Sequence, residues 1–433
     1  MLAKNSPRRP TAFLFMGLLS AIAMGACAAG NGGSSTNDET TEGSGAGSSW
    51  GGGGAGGAGS VDVATTGNPF VGAEMYVSQD YANEIDISIA AHPEDAALLE
   101  KVKQYPTAIW LDRIAAIDGV NGRQSLATHL DNALALQGTN KKPYVTLIVV
   151  YDLPNRDCAA KASSGELLIE QDGLNKYKTQ YIDKIASIIK AHPNQRIVAV
   201  VEPDSLPNLA TNMGVAKCAA SASAYREGSA YAIKTLSEAS ANVFLYLDSA
   251  QSGWLGWPDN QQKMTTIFKE VLDAAGGVDK IRGFASNVSN YTVLDASKPP
   301  QDIFDYQSNP CHDELTFVAQ ISAAYASAGI TNNHFLIDTG RNGVGGIRHD
   351  WGYWCNNIGA GLGERPRAEP GPAGVDAYVW VKPPGESDGT SDSSAARYDE
   401  FCGKEDAAKP APEAGQWFDS YFVALAKNAS PPL

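Results

Sequence analysis

From residue 67 onward the chain alternates two hydrophobic patterns. The first is a short β-branched and aromatic run that ends in a polar, often acidic, tip. Seven such runs occur, at 107–112, 144–152, 196–204, 242–248, 281–287, 334–338 and 377–382. Their apolar stretches are unbroken, which suits parallel strands buried on both faces. The second pattern has helical period. Leu174, Tyr177, Tyr181, Ile182, Ile185, Ile188 and Ile189 share one stripe of a helix predicted over 174–190, which His192-Pro193-Asn194 stops. A second helix is predicted over 222–239. This strand–helix alternation implies an α/β fold.

Acids or amides tip nearly every run. In a parallel barrel all C-terminal strand ends open onto one face, where catalytic groups gather. A doubly wound open sheet also puts its ligand at that edge, but at two or three strand ends only. A single tip acid is often just a turn or cap residue. Seven strands ending alike favour the barrel.

The N-terminal segment reads differently. Lys4, Arg8 and Arg9 precede an apolar run over 12–24, and Met24-Gly25-Ala26-Cys27 follows, so residues 1–27 read as an export signal. The segment resembles a lipoprotein cleavage box with Cys27 as the lipidated residue; plain secretion is the alternative. Residues 28–67 are Gly, Ser, Ala, Thr and Asn with little to bury, so a flexible tether is expected there. Thirteen of the 44 glycines lie between Gly30 and Gly59, so the glycine excess is local. The expected enzyme domain is 68–433.

Charge excludes one class of partner. With 33 Lys+Arg and 48 Asp+Glu the formal net charge is −15, which disfavours a phosphate backbone and so a nucleic-acid partner. Past the N-terminus no apolar run of membrane-spanning length occurs, so any membrane link is expected only through an N-terminal lipid. If Cys27 carries lipid, Cys158, Cys218, Cys311, Cys355 and Cys402 remain. Five cannot all pair, and spacing does not fix the connectivity. The six His are scattered and no CxxC occurs, so no metal and no cofactor is expected.

His-Glu-x-x-His and Walker-type loops are missing from the sequence. What remains is a set of carboxylates, Asp152, Asp157, Glu202, Asp204, Asp248, Glu386 and Asp388. Aromatic residues accompany them: Trp110, Tyr151, Trp254, Trp257, Trp351, Trp354 and Trp380. Carboxylates move protons and indole faces stack on sugar rings; glycoside hydrolysis uses both. Neighbouring acids also push their pKa values apart, giving one protonated and one ionised group.

At Val150-Tyr-Asp-Leu-Pro-Asn-Arg-Asp-Cys158, Val201-Glu-Pro-Asp-Ser-Leu206, Tyr246-Leu-Asp248, Gly253-Trp-Leu-Gly-Trp-Pro258 and the segment from Trp380 to Asp392, the chain resembles glycoside hydrolase family 6 over about 70–410. The resemblance implies a distorted seven-stranded parallel (β/α) barrel, TIM-barrel-like, with the active site at the C-terminal strand ends. It implies inverting hydrolysis of β-1,4-glucan by a monomer. Asp204 is then the general acid, its pKa raised by burial beside Glu202 and Asp157. Asp157 is the second carboxylate, acting on the attacking water through a relay. Asp388 is a base or a sugar ligand. Tyr151 crowds the ring at the cleavage point, and Arg156 and Asp248 support the centre. Trp110 and Asp112 hold the non-reducing end; Gln251, Trp254, Asn290, Trp354, Lys382 and Glu386 line other subsites, with Ser163 on a loop at the cleavage point. Gln251 stands where the family's cellobiohydrolases commonly have His. The resemblance also implies disulfides Cys158–Cys218 and Cys355–Cys402, leaving Cys311 free. Long loops at 158–173 and 382–417 resemble those that roof cellobiohydrolases, so an exo-acting enzyme releasing cellobiose from the non-reducing end is expected. An open-cleft endoglucanase and a non-catalytic glucan-binding protein are the alternatives.

Overall fold

The computed structural model describes residues 61–297 and 307–433. The expected export signal, Cys27 and the larger part of the expected tether lie outside the described residues. Among tether residues that are described, Val63 is buried and its carbonyl accepts from Arg196 Nε at 2.8 Å.

Among the described residues nine strands form one sheet: β1 (Glu74–Met75), β2 (Ile109–Leu111), β3 (Tyr144–Val150), β4 (Arg196–Val201), β5 (Val243–Asp248), β6 (Gly283–Ser286), β7 (His334–Asp338), β8 (Arg367–Ala368) and β9 (Val375–Val379). Their order is β1-β3-β4-β5-β6-β7-β9-β8, with β2 also on β3. β1 pairs with the first residues of β3 and β2 with its last three, so the two share one flank. Every pairing is parallel except β8 with β9.

Six of the seven predicted runs contain a strand, and the seventh, 377–382, overlaps the last three residues of β9. The expected distorted, seven-stranded parallel barrel is met only in its coarser outline. The sheet has nine strands, one of them antiparallel, and among the described residues no ladder joins β2 to β9. It is a half-barrel, mostly parallel. β2 is only three residues long, and across the gap Ala108 N–H donates to Trp380 O at 3.1 Å and Trp110 Nε1 to Val381 O at 2.8 Å.

The unbroken apolar runs have a direct cause. In β4, Ile197, Ala199 and Val201 face the helices, while Val198 and Val200 face the concave interior. In β5, Leu245 and Leu247 face out, and Phe244 and Tyr246 face in. Both sides of these strands are buried, so both carry mostly apolar residues. The predicted 174–190 helix is a continuous helical stretch of three pieces, Gly173–Lys176, a π-helical Tyr177–Ile182 and Asp183–Ala191, and it ends at His192 as expected. The second predicted helix begins earlier, at Ala216, and runs to Ser237.

The chain leaves the strand ends under strain. Asp157, Glu202, Asp204, Ala250, Asn287 and Ser289 all have φ between 46° and 62° without being glycine. Such left-handed residues cost of order 1 kcal/mol or more each and cluster where side chains must be aimed.

Candidate active site

The strand tips surround a cavity of about 520 Å³. β2 contributes Trp110, and Asp112 follows it. The loop after β3 contributes Tyr151, Arg156, Asp157 and Ser163. Asp204 follows β4; Gln251 and Trp254 follow β5; Asn290 follows β6. Trp354 comes from the segment after β7, and Lys382, Glu386 and Asp388 from the one after β9. All fourteen line the same cavity. Asp248 is the one expected site residue that does not. Its carboxylate lies behind the wall, accepting Asp204 N–H at 2.9 Å and Ala250 N–H at 3.3 Å.

Three acids meet here. Burial pushes the Asp204 carboxyl well above its ordinary value, and the charges of Asp157 and Asp248 push it further; Tyr151 and Arg156 pull the other way. Burial also raises Asp157, but Ser163, Lys217, Arg156 and Asn208 oppose it. Ser163 Oγ donates to Asp157 Oδ2, and Asn208 Nδ2 lies 3.5 Å from Asp157 Oδ1. The environment therefore separates the pair: Asp204 keeps a proton, and Asp157 is the carboxylate better supported by hydrogen bonds and nearby cations. Burial takes Asp248 up to about 7. Tyr151 is wedged by Trp110 edge-on at 5.3 Å and by the Arg156 guanidinium 4.2 Å from its ring centre.

Glu202 does something other than expected. Its carboxyl turns into the core, accepting from Tyr177 OH at 2.7 Å and from the N–H groups of Asp152 and Leu153 at 3.3 Å each. It braces the turn after β3, and Asp248 takes the place expected for Glu202 beside Asp204. Asp152 is also withdrawn. It is fully buried, neither carboxyl oxygen has a hydrogen-bond partner, and Arg156 Nη1 is 3.9 Å away. Trp380 is a core residue whose indole N–H donates to Glu364 O at 3.0 Å. The helical periods and strand tips identify buried acids and indoles but not which way each one turns.

Asp388 is held tightly. Arg341 Nη1 lies 2.8 Å from both of its oxygens, Tyr291 OH donates at 2.7 Å and Asn356 N–H at 2.8 Å. Glu386 lies 3.6 Å from Arg123 and 3.7 Å from Lys382. Gln251 Oε1 accepts from Thr292 Oγ1, which fixes the amide orientation at the cavity wall.

The two long loops meet. Lys161 N–H donates to Asp399 Oδ2 at 2.8 Å, and Arg397 Nη2 donates to Ala162 O. Their contact is so close that a Cβ on Gly389 would lie 2.7 Å from Ala162 Cβ. Ala160 and Ser163 from one loop and Arg397, Phe401 and Gly415 from the other line the cavity. Both implied disulfides are present, Cys158–Cys218 beside Asp157 and Cys355–Cys402 beside Trp354; Cys311 is free and buried.

Sequence reasoning missed Arg341, Tyr291, Asn208, Lys217, Arg397 and Phe401. Arg341 was within reach, because it sits three residues past the acidic tip of β7. Asn208 follows Asp204 by one helical turn and donates to its carbonyl. The others come from loops or helices whose placement no local pattern encodes.

The family model for glycosyl hydrolases family 6 matches residues 70–429. A 1,4-β-D-glucan cellobiohydrolase CEL6C of Podospora anserina is 45% identical over 380 residues, covering 87% of this chain and 91% of that protein. Exoglucanase 3 of Agaricus bisporus is 43% identical, covering 85% of this chain and 80% of its own. Among solved structures, cellobiohydrolase II (Cel6A) of Humicola insolens, in complex with glucose and cellotetraose, superposes with a TM-score of 0.79 at 42% identity, covering 85% of this chain and all of that one.

Proposed function

The chain belongs to glycosyl hydrolases family 6, and on that premise we propose that it is an inverting cellobiohydrolase. It hydrolyses β-1,4-glucosidic bonds of cellulose and releases cellobiose from the non-reducing end. The observation that carries the exo reading is the contact of the two long loops through Lys161–Asp399 and Arg397–Ala162, which favours an enclosed path over an open cleft.

In this reading Asp204 protonates the leaving glycosidic oxygen; its retained proton fits that role. Tyr151, wedged between Trp110 and Arg156, crowds the sugar at the cut. Water attacks C1 from the opposite face and passes its proton through a relay that includes Ser163 to Asp157. Asp388, engaged by Arg341, Tyr291 and Asn356, serves better as an anchor for sugar and loop than as a base. Trp110, Trp254 and Trp354 stack on glucosyl rings; Asp112, Gln251, Asn290, Lys382 and Glu386 bind hydroxyls. Asp248 and Arg156 position the acid and Tyr151. The strands of the seven predicted runs are read as a distorted barrel, supported by the Ala108–Trp380 hydrogen bond across the gap.

The product profile on amorphous cellulose, with the product anomer followed by NMR, tests this. Cellobiose as the dominant product, released as the α-anomer, is expected. A retained β-anomer would sink inversion. A fast fall in carboxymethylcellulose viscosity with little soluble sugar would favour an endoglucanase, and binding without turnover a glucan-binding protein.

Residues 1–27 are read as an export signal, with Cys27 as a lipid site on a cell surface and 28–67 as the tether of a monomeric catalytic domain over 68–433. Release of the protein from the membrane fraction by Cys27→Ser would support the anchor; an unchanged distribution would leave plain secretion.

A further inference from the structure

We propose that Phe401 is a substrate-binding residue, forming with Trp354 an aromatic trough that stacks on a glucosyl ring. The proposal rests on the glucan reading above. Phe401 lines the same cavity as the acids and is partly exposed. Its ring centre lies 5.9 Å from that of Trp354, with the planes tilted by 42°. Two flat plates at that angle make a shallow trough.

The covalent frame explains why the rings meet. Cys355 and Cys402 form a disulfide with Cα atoms 5.0 Å apart, and each half-cystine directly follows one of the two rings. The bridge therefore sets the pair side by side whatever the rest of the loop does. Ala162 of the opposite loop packs on the same bridge, with both rings against it. Outside the trough, Lys404 Nζ lies 5.6 Å from the Phe401 ring centre and 5.7 Å from that of Tyr353, and Glu400 holds the ammonium at 3.4 Å. The cation contributes an electrostatic attraction to a ring that also lines the cavity.

A phenyl ring can take no part in proton transfer. What it offers is an apolar plate, and the ligand it fits is a neutral ring with apolar faces. β-1,4-Linked glucose has equatorial hydroxyls and axial C–H bonds on both faces, so each ring can lie on an aromatic plate. Phe401 would bind the polymer without touching the reacting atoms, a contribution to affinity and chain-length preference.

Kinetics of the full chain on cellotriose through cellohexaose decide this, with Phe401→Leu and Phe401→Tyr compared with wild type. Phe401→Leu keeps an apolar side chain beside the bridge but loses the plate. Its KM on the longest substrate is expected to rise about five-fold, with kcat changed by less than about two-fold and thermal midpoint kept. The rise should shrink on the shortest substrate cleaved, and Phe401→Tyr should restore KM. An unchanged KM at every length would overturn the proposal. So would a fall in kcat together with the thermal midpoint, the signature of a purely structural ring. If wild type cleaves none of these sugars, the proposed activity fails, yet calorimetry with cellohexaose still judges Phe401: weaker binding by Phe401→Leu supports the trough, and equal binding refutes it.

Discussion

The backbone N–H of Asp204 donates to the Asp248 carboxylate at 2.9 Å. Asp248 ends β5 and Asp204 follows β4, so one hydrogen bond ties two neighbouring strand ends. The same carboxylate accepts from Ala250 N–H, and both donors have left-handed backbones. Asp248 thus holds two strained turns and, when ionised, adds negative charge behind Asp204.

That arrangement predicts a pH effect. An acid catalyst must carry its proton, so the basic limb of the kcat/KM profile follows the Asp204 pKa. Asp248 raises that pKa when ionised. Asp248→Asn keeps an oxygen for the Asp204 N–H but removes the charge. The basic limb should move to lower pH; a limb that stays in place would remove Asp248 from the electrostatics of the acid.

Removing the acid itself should be far more damaging. Asp204→Ala is expected to lower kcat on cello-oligosaccharides by about 10²–10⁴-fold, the usual range for a positioned proton donor. Substrates whose leaving group needs no proton, such as dinitrophenyl cellobiosides, should lose much less. Equal losses on both substrates would mean that Asp204 is not the donor.

Much of this site could be read in the chain because a parallel strand buried on both faces leaves an unbroken apolar run and a polar tip. Tyr151, Asp157, Asp204 and Asn290 lie at or just past such tips, and the cavity collects them. Orientation was hidden. Glu202 and Asp204 are two residues apart, yet one faces Tyr177 and the core and the other faces the cavity, a choice made by two left-handed residues that no periodicity reveals. Tyr291 was hidden because its partner, Asp388, is distant in sequence; Arg341, three residues past the tip of β7, could be placed near the site but not paired with Asp388. Sheet closure was hidden too, since it depends on how far β2 and β9 extend.

The loop contact predicts a change in mode of action. Arg397 Nη2 donates to Ala162 O, and its guanidinium also lines the cavity. Arg397→Leu removes the link and should let the loops part. The variant should cut carboxymethylcellulose internally more often, seen as a several-fold larger viscosity drop per reducing end formed. An unchanged ratio would mean that the Lys161–Asp399 hydrogen bond suffices to hold the loops together.

The Cys355–Cys402 bridge closes a 47-residue separation. Replacing both cysteines by Ala should cost ~2–4 kcal/mol, read from denaturant unfolding. Because the bridge also sets Trp354 beside Phe401, KM for cellohexaose should rise under conditions where the variant is still fully folded. A stability loss with KM intact would separate the staple from the trough.

Asp152 predicts how stability varies with pH. Burial, aided by the charges of Glu166 and Glu202 against the opposing pull of Arg156, pushes its carboxyl up to about 9. In the unfolded chain the same group releases its proton at about pH 4. Above that pH the unfolded chain binds fewer protons than the folded one, so stability falls as pH rises. The contribution is complete below the unfolded pKa and is lost as pH climbs through about 9. Asp152→Asn keeps the shape and removes the titration. Its thermal midpoint should fall less steeply between acid and mildly alkaline pH than that of wild type, so that its standing relative to wild type improves steadily with pH. Glu202, raised to about 7 by the same burial, should leave a residual slope in the variant. Parallel curves would show that Asp152 is ionised in the folded enzyme and paired with Arg156 after all.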